Sequence, residues 1–193
     1  MGAILNKEKK MRVLIPLAEG FEEIEAVTVI DILRRAGIET VTASVTKNPV
    51  MGSHGISVTA DIIINEPADK KLSFDAIILP GGMPGSTNLK NNPGIINIIK
   101  KISESGGLTA AICAAPIVLS EAGILKGRKF TCYPGYEDEI TEGVHISENV
   151  VIDGPVITGI GAGSAPLFAL AIVEFLKDKE TAKKIKDQIV SFW

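Results

Sequence analysis

The sequence predicts a doubly wound α/β fold, a flavodoxin-like sandwich with a mostly parallel sheet and helices on both faces. Three observations predict it. Short apolar runs such as Ala76–Pro80 and Leu108–Cys113 recur along the chain, as strands buried on both faces require. Helical stretches separate these runs, so strand and helix alternate. Turn residues such as Gly37, Gly106-Gly107 and Gly123 close many of the stretches.

Taken in order, Met11–Leu17 reads as a buried strand, and Glu22–Ala36 as a helix stopped by Gly37. Glu39–Ser44 is rich in Thr and Val and fits a second strand. Ile56–Ile64 is β-branched and reads as extended structure, a hairpin off the main sheet. Ala76–Pro80 is a short strand, and Pro93–Ser105 a helix closed by Gly106-Gly107. Leu108–Cys113 is the next strand, followed by a helix over Ala114–Ala122. Lys129–Tyr133 reads as another strand. Val150–Ile152 and Pro155–Thr158 bracket the turn Asp153-Gly154 as a hairpin. Ser164 is placed to cap a helix that runs to about Lys177, with Pro166 in its first turn. Glu180–Phe192 completes the order as a helix. The expected organisation is one domain over 11–193 behind a ten-residue N-terminal extension.

Composition narrows the function. Of 193 residues, 46% are hydrophobic and 22% charged, which excludes a disordered chain. The net charge of −3 argues against nucleic acid as the main partner. Two cysteines, Cys113 and Cys132, do not make a disulfide scaffold. With only two histidines, no metal site is expected. Residues 1–10 carry no signal-peptide core, and the apolar stretch Ile160–Val173 is too short to span a bilayer. The expectation is a cytoplasmic protein with neither membrane nor nucleic-acid partner.

In such folds ligands bind at the carboxyl ends of the strands. Cys113 ends an apolar strand and stands before a helix, among Ala110, Ala111, Ala114 and Ala115. Small neighbours suit a tight nucleophile turn, and a helix N-terminus favours a thiolate. Glu25 falls on the apolar arc of its helix, four residues before Val29 and seven before Ile32. A carboxylate there is paired, protonated or facing a cleft. Gly81-Gly82 follows a strand and brings backbone N–H groups close to a ligand, as an oxyanion hole requires. Gly159–Ser164 has the outline of a dinucleotide loop, but Ser164 falls where its third glycine belongs. His54, in Gly52-Ser53-His54-Gly55, reads as a solvated loop residue that could also reach an anionic ligand.

These segments together resemble the DJ-1/ThiJ/PfpI superfamily, in its deglycase-like branch. The resemblance rests on Glu22-Glu23-Ile24-Glu25, Arg34-Arg35-Ala36-Gly37-Ile38, Leu79-Pro80-Gly81-Gly82, Ala110–Pro116 and Phe168–Glu174. It implies a homodimer and a cofactor-free enzyme. In that reading Cys113 is the nucleophile on a strained turn. Glu25 is a protonated carboxyl bonded to its sulfur, and N–H groups of Gly82 and Ala114 line an anion site with Gly81. One position departs from the pattern: Tyr133 stands where many relatives carry histidine, in Thr131-Cys132-Tyr133-Pro134. A Cys-His-acid peptidase triad is therefore the weakest of the implied activities. The strongest is glyoxalase or deglycase chemistry on small 2-oxoaldehydes; a redox sensor acting through Cys113 is the alternative. Tyr133, His54 and Cys132 are candidates to line the pocket, and Cys132 also reads as a core-facing strand residue.

Overall fold

The computed structural model describes residues 11–64 and 73–192, so the N-terminal extension lies outside the described residues. The chain runs β1 (Arg12–Leu17), α1 (Glu23–Arg35), β2 (Glu39–Ser44), β3 (Val50–Met51), β4 (Ser57–Val58) and β5 (Ile62–Ile63). It continues with β6 (Ala76–Leu79), α2 (Gly85–Lys90), α3 (Pro93–Glu104), β7 (Leu108–Ile112), α4 (Pro116–Glu121) and β8 (Lys129–Phe130). A 3-10 turn at Glu137–Glu139 precedes β9 (Val144–His145), β10 (Val150–Asp153) and β11 (Val156–Gly159). A second 3-10 turn, Ala162–Ser164, leads into α5 (Ala165–Leu176) and α6 (Lys179–Gln188).

The main sheet has seven strands in the order β10-β11-β7-β6-β1-β2-β5. All neighbours are parallel except β10, which folds back antiparallel on β11. Both faces are covered, which is why the central strands β1, β6 and β7 are mostly apolar rather than alternating. Val13, Ile15, Ala76, Ile78, Ala110 and Ile112 point to a core shared with α1, α5 and α6. Leu14, Ile77, Leu79 and Ala111 point the other way, to a core shared with α2, α3 and α4. The chain leaves β1 toward β2 on one side, and β6 pairs on its other side. That reversal opens a crevice at the carboxyl ends of β1 and β6.

Several elements differ from the sequence reading for local reasons. The extended stretch 56–64 divides: β4 pairs with β3 in a small hairpin, and β5 joins the edge of the main sheet. The strand expected over 129–133 stops at Phe130 and pairs with β9 instead of the main sheet. Beyond it, Thr131 N–H donates to the Thr158 hydroxyl and Tyr133 N–H to the Cys113 carbonyl, so the backbone is drawn away from regular pairing. Helix α4 begins at Pro116 rather than Ala114, because the turn after β7 takes up three residues, Cys113 to Ala115. Ser164 does not cap α5; its hydroxyl donates to the Gly161 carbonyl. Helix α6 ends at Gln188, and Val190 turns the chain with φ 51°. Helix α2 has no apolar period to announce it. No helix among the described residues is long and apolar enough to cross a membrane.

Candidate active site

Cys113 sits one residue beyond β7, in the left-handed region with φ 64°. For a residue with a Cβ this conformation costs about 1–2 kcal/mol. The turn is held from both sides. Cys113 N–H donates to the Gly159 carbonyl at 2.9 Å, and its own carbonyl accepts from Tyr133 N–H at 2.8 Å. The loop that outlined a dinucleotide site thus serves to anchor the cysteine. Gly159 is packed against Ile112 and Phe168, where a Cβ would sit 3.0 Å from the nearest side-chain atom.

Glu25 comes from the first turns of α1 and is fully buried. Gly81 N–H donates to its Oε2 at 2.7 Å, a bond across the crevice between the β1 and β6 ends. Its Oε1 is buried without a hydrogen-bond partner. The Cys113 thiol is the neighbouring side chain that acts on its titration. A Cβ on Gly81 would lie 2.6 Å from the Cys113 Cβ and 2.7 Å from Glu25 Oε2. Only glycine lets the three groups meet.

Burial raises the Glu25 carboxyl to about 7, against the opposing bonds from Gly81 and Cys113. The thiol departs from the sequence expectation of a lowered pKa. Burial first, and the Glu25 carboxylate second, push Cys113 up to about 12. The backbone N–H groups of Ala114 and Gly82 beside the sulfur pull in the opposite direction without prevailing. Helix α4 is only one and a half turns long and starts three residues away, so its dipole offers little. Between these two values the pair holds one proton, and moving it from sulfur to carboxyl leaves the net charge unchanged.

Gly82, with φ 88°, is wedged where a Cβ would lie 2.4 Å from Glu22 N and 2.6 Å from the Gly20 carbonyl. That contact brings the loop after β6 down onto the start of α1, beside Cys113. Tyr133 is half exposed and packs over Gly161, whose added Cβ would be 3.5 Å from its ring. Tyr136 meets Tyr133 edge-on at 6.4 Å, and its pKa is raised by burial first and by nearby Cys113 next. Sequence reasoning missed Tyr136; its signal was an aromatic just after the Pro134-Gly135 turn.

The other candidates go elsewhere. The side chain of His54 is 70% exposed, and its Nδ1 lies 3.2 Å from Glu23 and 3.4 Å from Glu22. It belongs to the α1–hairpin junction. Cys132 is buried in the core shared with α2–α4, as a strand-side residue would be.

Comparison with known proteins places the chain in a family. Residues 11–175 match the DJ-1/PfpI family. The chain belongs to that family. It is 38% identical over 180 residues to a Caenorhabditis elegans protein named glutathione-independent glyoxalase DJR-1.2, covering 92% of this chain and 94% of that one. Its structure resembles that of oxidized Toxoplasma gondii DJ-1, with a TM-score of 0.89 and 39% identity over 95% of this chain and all of the other. It is also 39% identical to Arabidopsis thaliana DJ-1 homolog B across 93% of its own length. The chain spans less than half of that relative, 41% of its length. The DJ-1/PfpI assignment agrees with the sheet order and with the superfamily resemblance.

Proposed function

We propose that this DJ-1/PfpI protein is a cofactor-free glyoxalase that converts small 2-oxoaldehydes to 2-hydroxy acids through Cys113. The observation that carries the proposal is the buried Cys113–Glu25 pair, in which a carboxyl titrating at about 7 faces a strained thiol. A base with that pKa is matched to proton transfer near neutrality. The glyoxalase name of the worm relative supports the substrate class.

In the proposed reaction the Cys113 sulfur adds to the aldehyde carbon. A C–S bond forms, the carbonyl π pair moves to oxygen, and the thiol proton passes to the Glu25 carboxylate. N–H groups of Gly82 and Ala114 offset negative charge at the sulfur and the nearby oxygen. Glu25 then protonates that oxygen and removes the proton from the former aldehyde carbon, giving an enediolate; the hydroxyl proton passes from the first oxygen to the second, and Glu25 returns its proton to the adjacent carbon. The product at this stage is a thioester of the 2-hydroxy acid. Water cleaves it and restores the thiol, so one aldehyde and one water give one hydroxy acid. Adducts of the same aldehydes on thiols or amines offer the same carbon to the sulfur, which is the deglycase form of the activity.

The test is lactate formation from methylglyoxal by the purified protein beside Cys113→Ala. We expect lactate from the wild type and a loss of at least ~10³-fold in the variant. Absence of lactate above background in both overturns the proposal.

A second reading is favoured by the same N–H groups, which would hold the oxygens of a sulfinate on Cys113, and by the oxidized state of the Toxoplasma neighbour. Mass spectrometry after mild peroxide should show two added oxygens at Cys113; their absence removes this reading. Ile24, Val27, Met51 and Ile56 are exposed around the junction of α1 with the β3–β4 hairpin, a face suited to a second copy of the chain.

A further inference from the structure

We propose that Cys132, Glu137 and His145 form a binding site for one borderline-soft divalent cation, of which Zn²⁺ is the type. A thiol, a carboxylate and an imidazole offer one ligand atom each, and these atoms all lie within 4.8 Å of one another. Sulfur, nitrogen and oxygen donors in this mixture select zinc over magnesium or calcium, which prefer oxygen alone. The inference is independent of the activity proposed above.

Three separate pieces of backbone bring the donors together. Cys132 lies two residues past β8, Glu137 opens the 3-10 turn, and His145 ends β9. The parallel pairing of β8 with β9 sets His145 opposite Phe130, and its ring rests on the Phe130 ring at 5.5 Å. The Glu137 carboxylate is aimed by its own loop: Oε2 accepts from Gly135 N–H at 2.6 Å and stands 3.9 Å from the Cys132 sulfur. Such oriented support is what metal ligands require. Side-chain rotation closes the remaining gap to a metal–ligand length of about 2.0–2.3 Å. Three protein ligands leave the fourth tetrahedral position to water.

A second group, Glu22, Glu23 and His54, has donors equally close together. Its central carboxylate already accepts from the N–H groups of His54 and Ile56 and from the Ser53 hydroxyl. The Glu137 carboxylate instead accepts one short bond, from Gly135 N–H, beside the longer contact from the Cys132 thiol. The sequence expectation of no metal site counted histidines and cysteines without knowing that residues 132, 137 and 145 converge.

When the cation binds, a metal–sulfur bond replaces the S–H bond and one proton is released to solvent. Tyr133, whose N–H holds the Cys113 carbonyl, is the next residue after Cys132. Loading the site therefore stiffens one of the two supports of the Cys113 turn.

The test is a titration of tag-free, reduced protein with Co²⁺, which reports thiolate ligation by a near-ultraviolet charge-transfer band. We expect the band to saturate at one Co²⁺ per chain and to vanish when Zn²⁺ is added. It should persist in Cys113→Ala and disappear in Cys132→Ser. His145→Ala and Glu137→Gln, both at exposed or half-exposed positions, should each weaken binding at least tenfold, with unchanged far-ultraviolet circular dichroism. Three results overturn the proposal: no band in the wild type, a band lost in Cys113→Ala but kept in Cys132→Ser, or undiminished affinity in both His145→Ala and Glu137→Gln.

Discussion

Glu23 and Glu25 are two residues apart at the start of one helix, both buried, and the structure drives them in opposite directions. Glu23 is lowered to about 2, because against its burial stand its own backbone N–H first, then the N–H groups of His54 and Ile56 and the His54 ring. Glu25 is raised to about 7, because burial meets a single N–H from Gly81 and the Cys113 sulfur. Glu23 has its donors supplied and acts as a clasp between α1 and the β3–β4 hairpin. Glu25 keeps an unsatisfied oxygen beside a reactive atom. The number of donors around a buried carboxyl, more than its burial, separates a structural carboxylate from a chemical one.

The largest expected effect is on turnover. Glu25→Gln keeps the shape and removes the titration, and kcat/KM for lactate formation should fall by ~10²–10⁴-fold. Glu23→Gln should stay within about threefold of the wild type, in line with ordinary substitutions away from the chemistry. Equal losses in the two variants would break the comparison.

Stability should show the reverse order. Glu23→Ala leaves two part-buried N–H groups without their acceptor and should cost about 1–2 kcal/mol in urea unfolding. Glu25→Gln should change stability at pH 5 by less than that.

The two carboxyls should also oppose each other in pH dependence. The folded pKa of Glu25 lies above its unfolded value of 4.5, so the folded state binds the extra proton between 4.5 and about 7. Its contribution is fully present below 4.5 and lost as pH rises through 7, by about 3 kcal/mol on integration. Glu23 has the opposite sign. Its contribution is present above 4.5 and lost as pH falls through about 2. Unfolding free energies measured from pH 4.5 to 7 should therefore decline in the wild type relative to Glu25→Gln. Parallel curves would show that Glu25 is not raised.

The smallest effect belongs to His54→Ala. The ring is mostly exposed, and its backbone N–H still serves Glu23. A stability change of about 0.5 kcal/mol or less is expected for such a pair. A loss comparable to Glu23→Ala would mean that the ring, and not the backbone, holds the clasp.

The order of strands and helices was readable from the chain, because strands buried on both faces must be apolar and helices on a sheet must be amphipathic. Cys113, Glu25 and Gly81-Gly82 stood out for a similar reason: each breaks a local pattern, with a reactive atom at a strand end, a carboxylate on an apolar arc, or two glycines where one closes a turn. Helix α2 and strand β9 were not readable, being too short to show a period. Tyr136 was not readable either, since nothing local tells which way a residue after a turn will face.

The sequence by itself determined the alternation, the two-faced core and the residues able to do chemistry, all of which follow from patterns only a few residues long. Tertiary structure decided what those residues are. It alone brought Gly81 to Glu25 across 56 positions, and it alone gave Glu23 two N–H donors and Glu25 one. It also reversed the pKa expected for Cys113. Protonation depends on solvent exclusion and on donors from distant segments, so it is a property of the packed site and not of any stretch of chain.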